Sequence, residues 1–165
     1  MSHPVKPYMT IRRSFLLTLL AVSAVPFKTF ATAVDLTMTV WKDPNCGCCA
    51  DWVSHVEKNG FAVKVVDTGN QAIRSQLGMP PKFGSCHTGL IQGYVIEGHV
   101  PSADILRLLK EKPRALGLAV PGMPIGSPGM DGPEYKNRRD PYDVLLVQRG
   151  GDAIVFSSHA VPKQY

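Results

Sequence analysis

The chain has 165 residues, with 18 Lys and Arg against 13 Asp and Glu and a formal charge of +5. Four of the basic residues (Lys6, Arg12, Arg13 and Lys28) precede residue 34 and every acid lies after it, so the remainder, about 132 residues, is near neutral. With no basic stripe beyond Lys136-Asn137-Arg138-Arg139, the chain offers little to nucleic acid, and its length suits one domain with a modest core.

Residues 1–33 read as a cleaved export signal. Arg12-Arg13 precede an apolar run from Phe15 to Val25, and Ala31-Thr32-Ala33 supplies a small-x-small cleavage pattern. The run is too short for a membrane-spanning helix, and Pro26 and Lys28 interrupt the chain directly after it. No stable membrane insertion is expected once the signal is gone. The "RRSFL" stretch fits the twin-arginine (Tat) route, but paired arginines suit the Sec route equally, and both stay open. Residues 34–165 are then the exported domain.

"LTMTVWK" (36–42) alternates and is rich in strand formers, so it predicts a strand. Asp43-Pro44-Asn45 breaks it, with Asn45 as the expected helix cap. Cys49, Trp52, Val53 and Val56 then fall on one face of a helix that Asn59-Gly60 ends. "FAVKVVD" (61–67) predicts a second strand, and "NQAIRSQL" (70–77) a short helix closed by Gly78 and Pro80-Pro81. "GLIQGYVIEG" (89–98) reads as a strand pair, or as one strand with a bulge at Gly93. Pro101-Ser102 introduce the helix "ADILRLLKEK", with Ile105, Leu108 and Leu109 inward. Residues 113–141 are rich in Pro and Gly and read as a long loop within the domain. "YDVLLVQ" and "AIVFSS" flank Arg149-Gly150-Gly151-Asp152 as a hairpin.

This order predicts an α/β domain with a Gly/Pro-rich loop and a C-terminal β-hairpin. A strand that delivers cysteines to the first turn of a helix is thioredoxin-like.

The cysteines carry the chemistry. Cys46 and Cys49, three apart, share one side of the helix start, where free N–H groups and the dipole favour thiolates. Cys48 points away from them on an ideal helix unless the first turn is unwound. A purely structural disulfide set is disfavoured, because a loop of so few residues removes little chain entropy. Two readings then compete: a dithiol that exchanges with substrate disulfides through Cys46 and Cys49, and a soft-metal site where several thiolates converge.

Met123 and Met130 sit in a Gly/Pro loop outside any periodic apolar segment, and Met79 has similar surroundings. Thiolates with thioethers select Cu(I), whereas a structural zinc site takes Cys and His alone. A methionine in such a loop most often packs against its domain. His87, beside Cys86, is a ligand or a group behind one; His99 precedes a helix and could serve only the backbone. His55 and His159 read as solvent-facing. Trp41 and Trp52 are expected to pack the strand–helix junction.

The segments "DPNCGCCADWVSHVEKNGF", "SCHTGLIQGYVIEGHVP" and "GLAVPGMPIGSPGM" together resemble the CopG-like family of periplasmic, copper-resistance-associated proteins. The resemblance spans roughly residues 36–157. It implies a thioredoxin-like fold and copper bound by the cysteine cluster: Cys46, Cys48 and Cys49 match the motif, Cys86 its Cys-His, and Met123 its Gly-Met-Pro segment. The expected function is therefore copper resistance or homeostasis in the periplasm, by sequestration, transfer to a partner, or a copper redox step. The expected site is Cys46, Cys48, Cys49, Cys86, His87 and Met123 holding Cu(I), as a multinuclear cluster if sulfurs bridge. Bridging accounts for Cys48, since three closely spaced sulfurs suit a cluster better than a single tetrahedral ion. The alternative is a periplasmic thiol–disulfide oxidoreductase using Cys46 and Cys49.

Overall fold

A computed structural model describes residues 35–160, together with Met1. The export signal expected at 1–33 lies outside the described residues. Strand β1 (Thr37–Lys42) buries Met38 and Val40 and leaves Thr39 and Trp41 half-exposed, the period-two pattern of a strand packed on one face. It ends in an Asx turn: Asp43 Oδ1 accepts the Asn45 N–H at 2.8 Å, and the Asp43 carbonyl accepts that of Cys46 at 3.1 Å. That turn absorbs Asn45, so helix α1 (Gly47–Lys58) starts one residue later than expected. Cys46, at φ −77° and ψ 96°, takes the cap position without a side-chain capping bond. Its carbonyl accepts the Ala50 N–H at 3.2 Å, the first helical bond. α1 buries Cys49, Trp52, Val53 and Val56, the stripe its spacing predicts.

Strand β2 (Ala62–Val66) lies parallel to β1, and a short helix α2 (Gln71–Gln76) comes next. The 89–98 segment resolves as a pair, β3 (His87–Ile91) and β4 (Tyr94–Glu97), joined through Gln92 at φ +46° and Gly93 at φ +82°. Positive φ at both central residues gives the twist that a two-residue hairpin needs. Helix α3 (Ser102–Glu111) buries Ile105, Leu108 and Leu109.

The segment expected to be one long loop contains a strand, β5 (Gly117–Ala119), and a 3-10 turn at Pro133–Tyr135. Three residues are too few to show a period. β5 lies parallel to β4 and antiparallel to β6 (Tyr142–Val147), and any Cβ at Gly117 would collide with the Val95 backbone. Glycine there lets the chains come together. Strands β6 (Tyr142–Val147) and β7 (Ala153–His159) form the expected hairpin.

Among the described residues the sheet has seven strands, in the order β2-β1-β3-β4-β5-β6-β7. One apolar cluster joins Trp52 and Val56 of α1 and Ile105 and Leu108 of α3 to Ile96, Leu118 and Leu146. Their chain neighbours Val95, Ala119 and Val147 belong to a second cluster with Met79 and Phe83. Because alternate strand residues face opposite ways, the sheet is covered on both faces. Full burial of a side chain such as Ile105 or Leu108 contributes about 1.5–3 kcal/mol. Met79, 2% exposed, is thus a packing residue.

Candidate metal centre

Strand pairing builds the site. Lys42 at the end of β1 pairs with His87 at the start of β3, and Thr88 pairs with Glu97 at the end of β4. One end of the sheet therefore gathers the first turn of α1, Cys86 before β3, and His99 just beyond β4. Cys46 and Cys49 are joined as a disulfide, with their Cα atoms 5.3 Å apart. Cys48 and Cys86 are free thiols. Cys48 Sγ lies 3.6 Å from Cys46 Sγ and 4.0 Å from Cys86 Sγ, and Cys49 Sγ lies 3.6 Å from the Cys86 carbonyl oxygen. All four sulfurs fall within 4.8 Å of one another. Cys48 can approach Cys46 because Cys46 sits outside the helix, which is the relaxation of the first turn that an ideal helix would forbid.

Two imidazoles close the other side. Cys86 Sγ is 3.4 Å from His87 Nδ1 and 3.1 Å from His99 Nε2, so Cys86, His87 and His99 form a second, overlapping donor set. His99 Nδ1 lies 2.8 Å from the Pro128 carbonyl. A carbonyl only accepts, so Nδ1 carries the proton and Nε2 turns its lone pair to Cys86. His87 is fully buried between the rings of Trp52 and His99, and its Nε2 has no hydrogen-bond partner among the described residues. Burial, reinforced by neighbouring His99, holds the His87 pKa well below the usual histidine value, and burial also lowers that of His99. Both rings are neutral, the form that binds metals. Burial first, and then Cys48, push the Cys86 thiol up to about 12. Without a metal, Cys86 is an S–H group facing His99 Nε2.

Cys86 is aimed by a polar scaffold around Ser85. Glu97, fully buried, accepts the Ser85 N–H at 2.8 Å, the Thr88 hydroxyl at 2.6 Å and Arg74 Nη1 at 3.3 Å. The Ser85 carbonyl accepts Asn70 Nδ2 at 3.1 Å and Arg74 Nη1 at 3.2 Å, and Ser85 Oγ donates to the Gly122 carbonyl at 2.5 Å. Burial raises the Glu97 pKa, against the pull of Thr88, Ser85 and Arg74. Asn70, Arg74, Ser85, Thr88 and Glu97 are not expected from the sequence. The one available signal is a carboxylate inside the apolar run "YVIEG", since a fully buried acid needs partners.

The loop after β5 runs over this end of the sheet. Gly122 also bonds through its N–H to the Gly84 carbonyl at 3.1 Å, and the next residue, Met123, is half exposed. Gly129, at φ +81°, packs so close to α1 that a Cβ would lie 2.6 Å from the Cys48 carbonyl oxygen and 2.7 Å from the Trp52 nitrogen. Met130 is buried, and its sulfur accepts the Tyr135 hydroxyl at 3.3 Å, which makes it a packing group. Trp52 packs the junction as expected, with its indole N–H on the Val100 carbonyl at 2.9 Å.

Two histidines expected in solvent are not free there. His55 Nε2 accepts the Ser102 N–H at 3.3 Å, and His159 Nε2 lies 2.9 Å from Asp104 Oδ2 while its ring stacks on Tyr142. Both contacts cross to α3, which sequence spacing does not reveal. Of the residues expected at the site, Cys46, Cys48, Cys49, Cys86 and His87 come together; Met123 lies on the loop tied to Gly84 and Ser85.

Fold and site together define an α/β protein with a clustered cysteine–histidine centre at one end of its sheet. The family described as "Protein of unknown function, DUF411" matches residues 83–130. A solved structure described as "Copper resistance protein copG- Form 1" is 47% identical, with a TM-score of 0.70 over 76% of this chain and 98% of its own. A second, "Copper resistance protein copG- Form 2", is 48% identical, also with a TM-score of 0.70, over 77% of this chain and 100% of its own. No curated protein matches the sequence. The chain belongs to the CopG-like copper-resistance family.

Proposed function

We propose that this protein binds Cu(I) through the thiolates of Cys46, Cys48, Cys49 and Cys86, and that it serves copper resistance after export to the periplasm. The observation that carries this is the convergence of four sulfurs and two neutral imidazoles within one small volume. Soft thiolates favour Cu(I), and sulfurs this close can bridge more than one ion. The neutral ring of His87, with Nδ1 3.4 Å from Cys86 Sγ, is a further group a metal could use. All four sulfurs become ligands only after Cys46–Cys49 is reduced. His87 and Met123 complete the proposed set, Met123 as a weak thioether donor that eases hand-over to a periplasmic acceptor. A thioredoxin-like fold is supported by the β1-α1-β2 unit and the β3–β4 hairpin after it, with cysteines at the first turn of α1.

The test is an anaerobic titration of the reduced protein with Cu(I), in competition with a chromophoric chelator, repeated on Cys48→Ser. More than one tightly held copper per chain, falling in the variant, is the expected result. The disulfide itself favours a second reading, a thiol–disulfide oxidoreductase working through Cys46 and Cys49. That enzyme would keep full activity in Cys48→Ser and show no copper dependence.

A further inference from the structure

The same two sulfurs cannot serve a disulfide and a metal at once. Cys46 and Cys49 are bonded to each other, yet both belong to the four-sulfur donor set. We propose that copper is loaded and discharged by thiol–disulfide exchange at Cys46–Cys49 with a partner dithiol, so that the redox state of this pair sets how much Cu(I) the chain holds. The inference rests on the copper-binding reading and adds to it a class of reaction partner.

The arrangement sets the direction of attack. Cys46 is partly exposed at the cap position, whereas Cys49 is fully buried in the first turn of α1. A partner thiolate therefore reaches Cys46 Sγ. The new bond forms between Cys46 and the partner sulfur, the Cys46–Cys49 bond breaks, and Cys49 leaves as a thiolate among the free N–H groups of the helix start. The partner's second thiolate then attacks its own sulfur in the mixed disulfide and frees Cys46. Two electrons have moved: the partner dithiol is now a disulfide, and this chain has gained two thiolates for Cu(I). Run in reverse with an oxidised partner, the same steps close Cys46–Cys49 and expel the copper those sulfurs held. The copper stays Cu(I) throughout.

Cys48 and Cys86 remain thiols in the closed form, 4.0 Å apart, and retain a weaker remnant of the site. Coupling of this kind is reciprocal, so bound Cu(I) must also protect the pair from oxidation.

The test equilibrates the full chain anaerobically with reduced and oxidised glutathione at a series of ratios. Cu(I) per chain is read by chelator competition, and the Cys46–Cys49 disulfide by alkylation and mass spectrometry. Bound copper should fall by about half or more in step with disulfide formation, as two of four thiolates are withdrawn. In Cys49→Ser, which cannot close the pair, copper content should no longer track the glutathione ratio. Equal copper in the oxidised and reduced chain would overturn this inference and leave the copper-binding reading standing. No copper in either state would overturn both.

Discussion

His99 Nε2 stands 3.1 Å from Cys86 Sγ while its other nitrogen is held by the Pro128 carbonyl at 2.8 Å. One ring thus links the loop after β5 to the thiol that completes the sulfur cluster. Replacing it with Gln removes the ring and its fixed orientation. His99→Gln should weaken Cu(I) binding by about 10–100-fold, the usual cost of losing a group that orients a ligand. Chelator competition measures this, and unchanged affinity would show that the contact does not bear on the metal.

Gly129→Ala addresses the loop from its other anchor. The position has φ +81°, and a Cβ there would sit 2.6 Å from the Cys48 carbonyl oxygen. Neither the backbone of α1 nor the loop can give way cheaply. The variant should lose about 1–3 kcal/mol of stability, read by denaturant unfolding of the metal-free protein. It should also label faster at Cys48 with a thiol reagent, because the loop lifts from the first turn. Wild-type labelling with lowered stability would leave the loop as packing alone.

Much of the fold is legible in the sequence because its long elements are periodic. The α1 stripe of Cys49, Trp52, Val53 and Val56 and the alternation of β1 both come from spacing. So does the placing of the three clustered cysteines at a helix start, given the turn residues Asp43-Pro44-Asn45 before them. What spacing does not carry is pairing between distant segments. His99 reaches Cys86 only because β3 and β4 form a hairpin in the register Thr88 to Glu97. The Ser85 scaffold needs α2 and β4 to meet at one residue. β5 is held by neighbours on both sides and has too few residues to show a pattern of its own. Asn45 is drawn out of the cap position by a side-chain bond from Asp43, a local competitor that propensity does not rank.

His55 supplies a pH dependence. Its neutral Nε2 accepts the Ser102 N–H at the start of α3, and burial lowers its pKa below the ordinary 6.5 despite nearby Asp131. The folded state therefore binds fewer protons than the unfolded state. Its contribution to stability is fully present above pH 6.5 and is lost as pH falls through the lowered folded value. His87 and His99 act in the same direction. The melting temperature of the metal-free protein should fall between about pH 7.5 and about pH 5.5, and His55→Gln should flatten that fall without abolishing it. An equally steep fall in the variant would show that His55 does not contribute to it.

On the proposed function, copper is held by converging sulfurs. X-ray absorption at the copper edge, on the reduced protein loaded with Cu(I), reads that ligand shell. Nearest scatterers that are mainly sulfur, with a copper–copper distance signalling bridged ions, are the predicted result. A shell of nitrogen and oxygen alone would place the metal away from Cys46, Cys48, Cys49 and Cys86 and rule out thiolate binding.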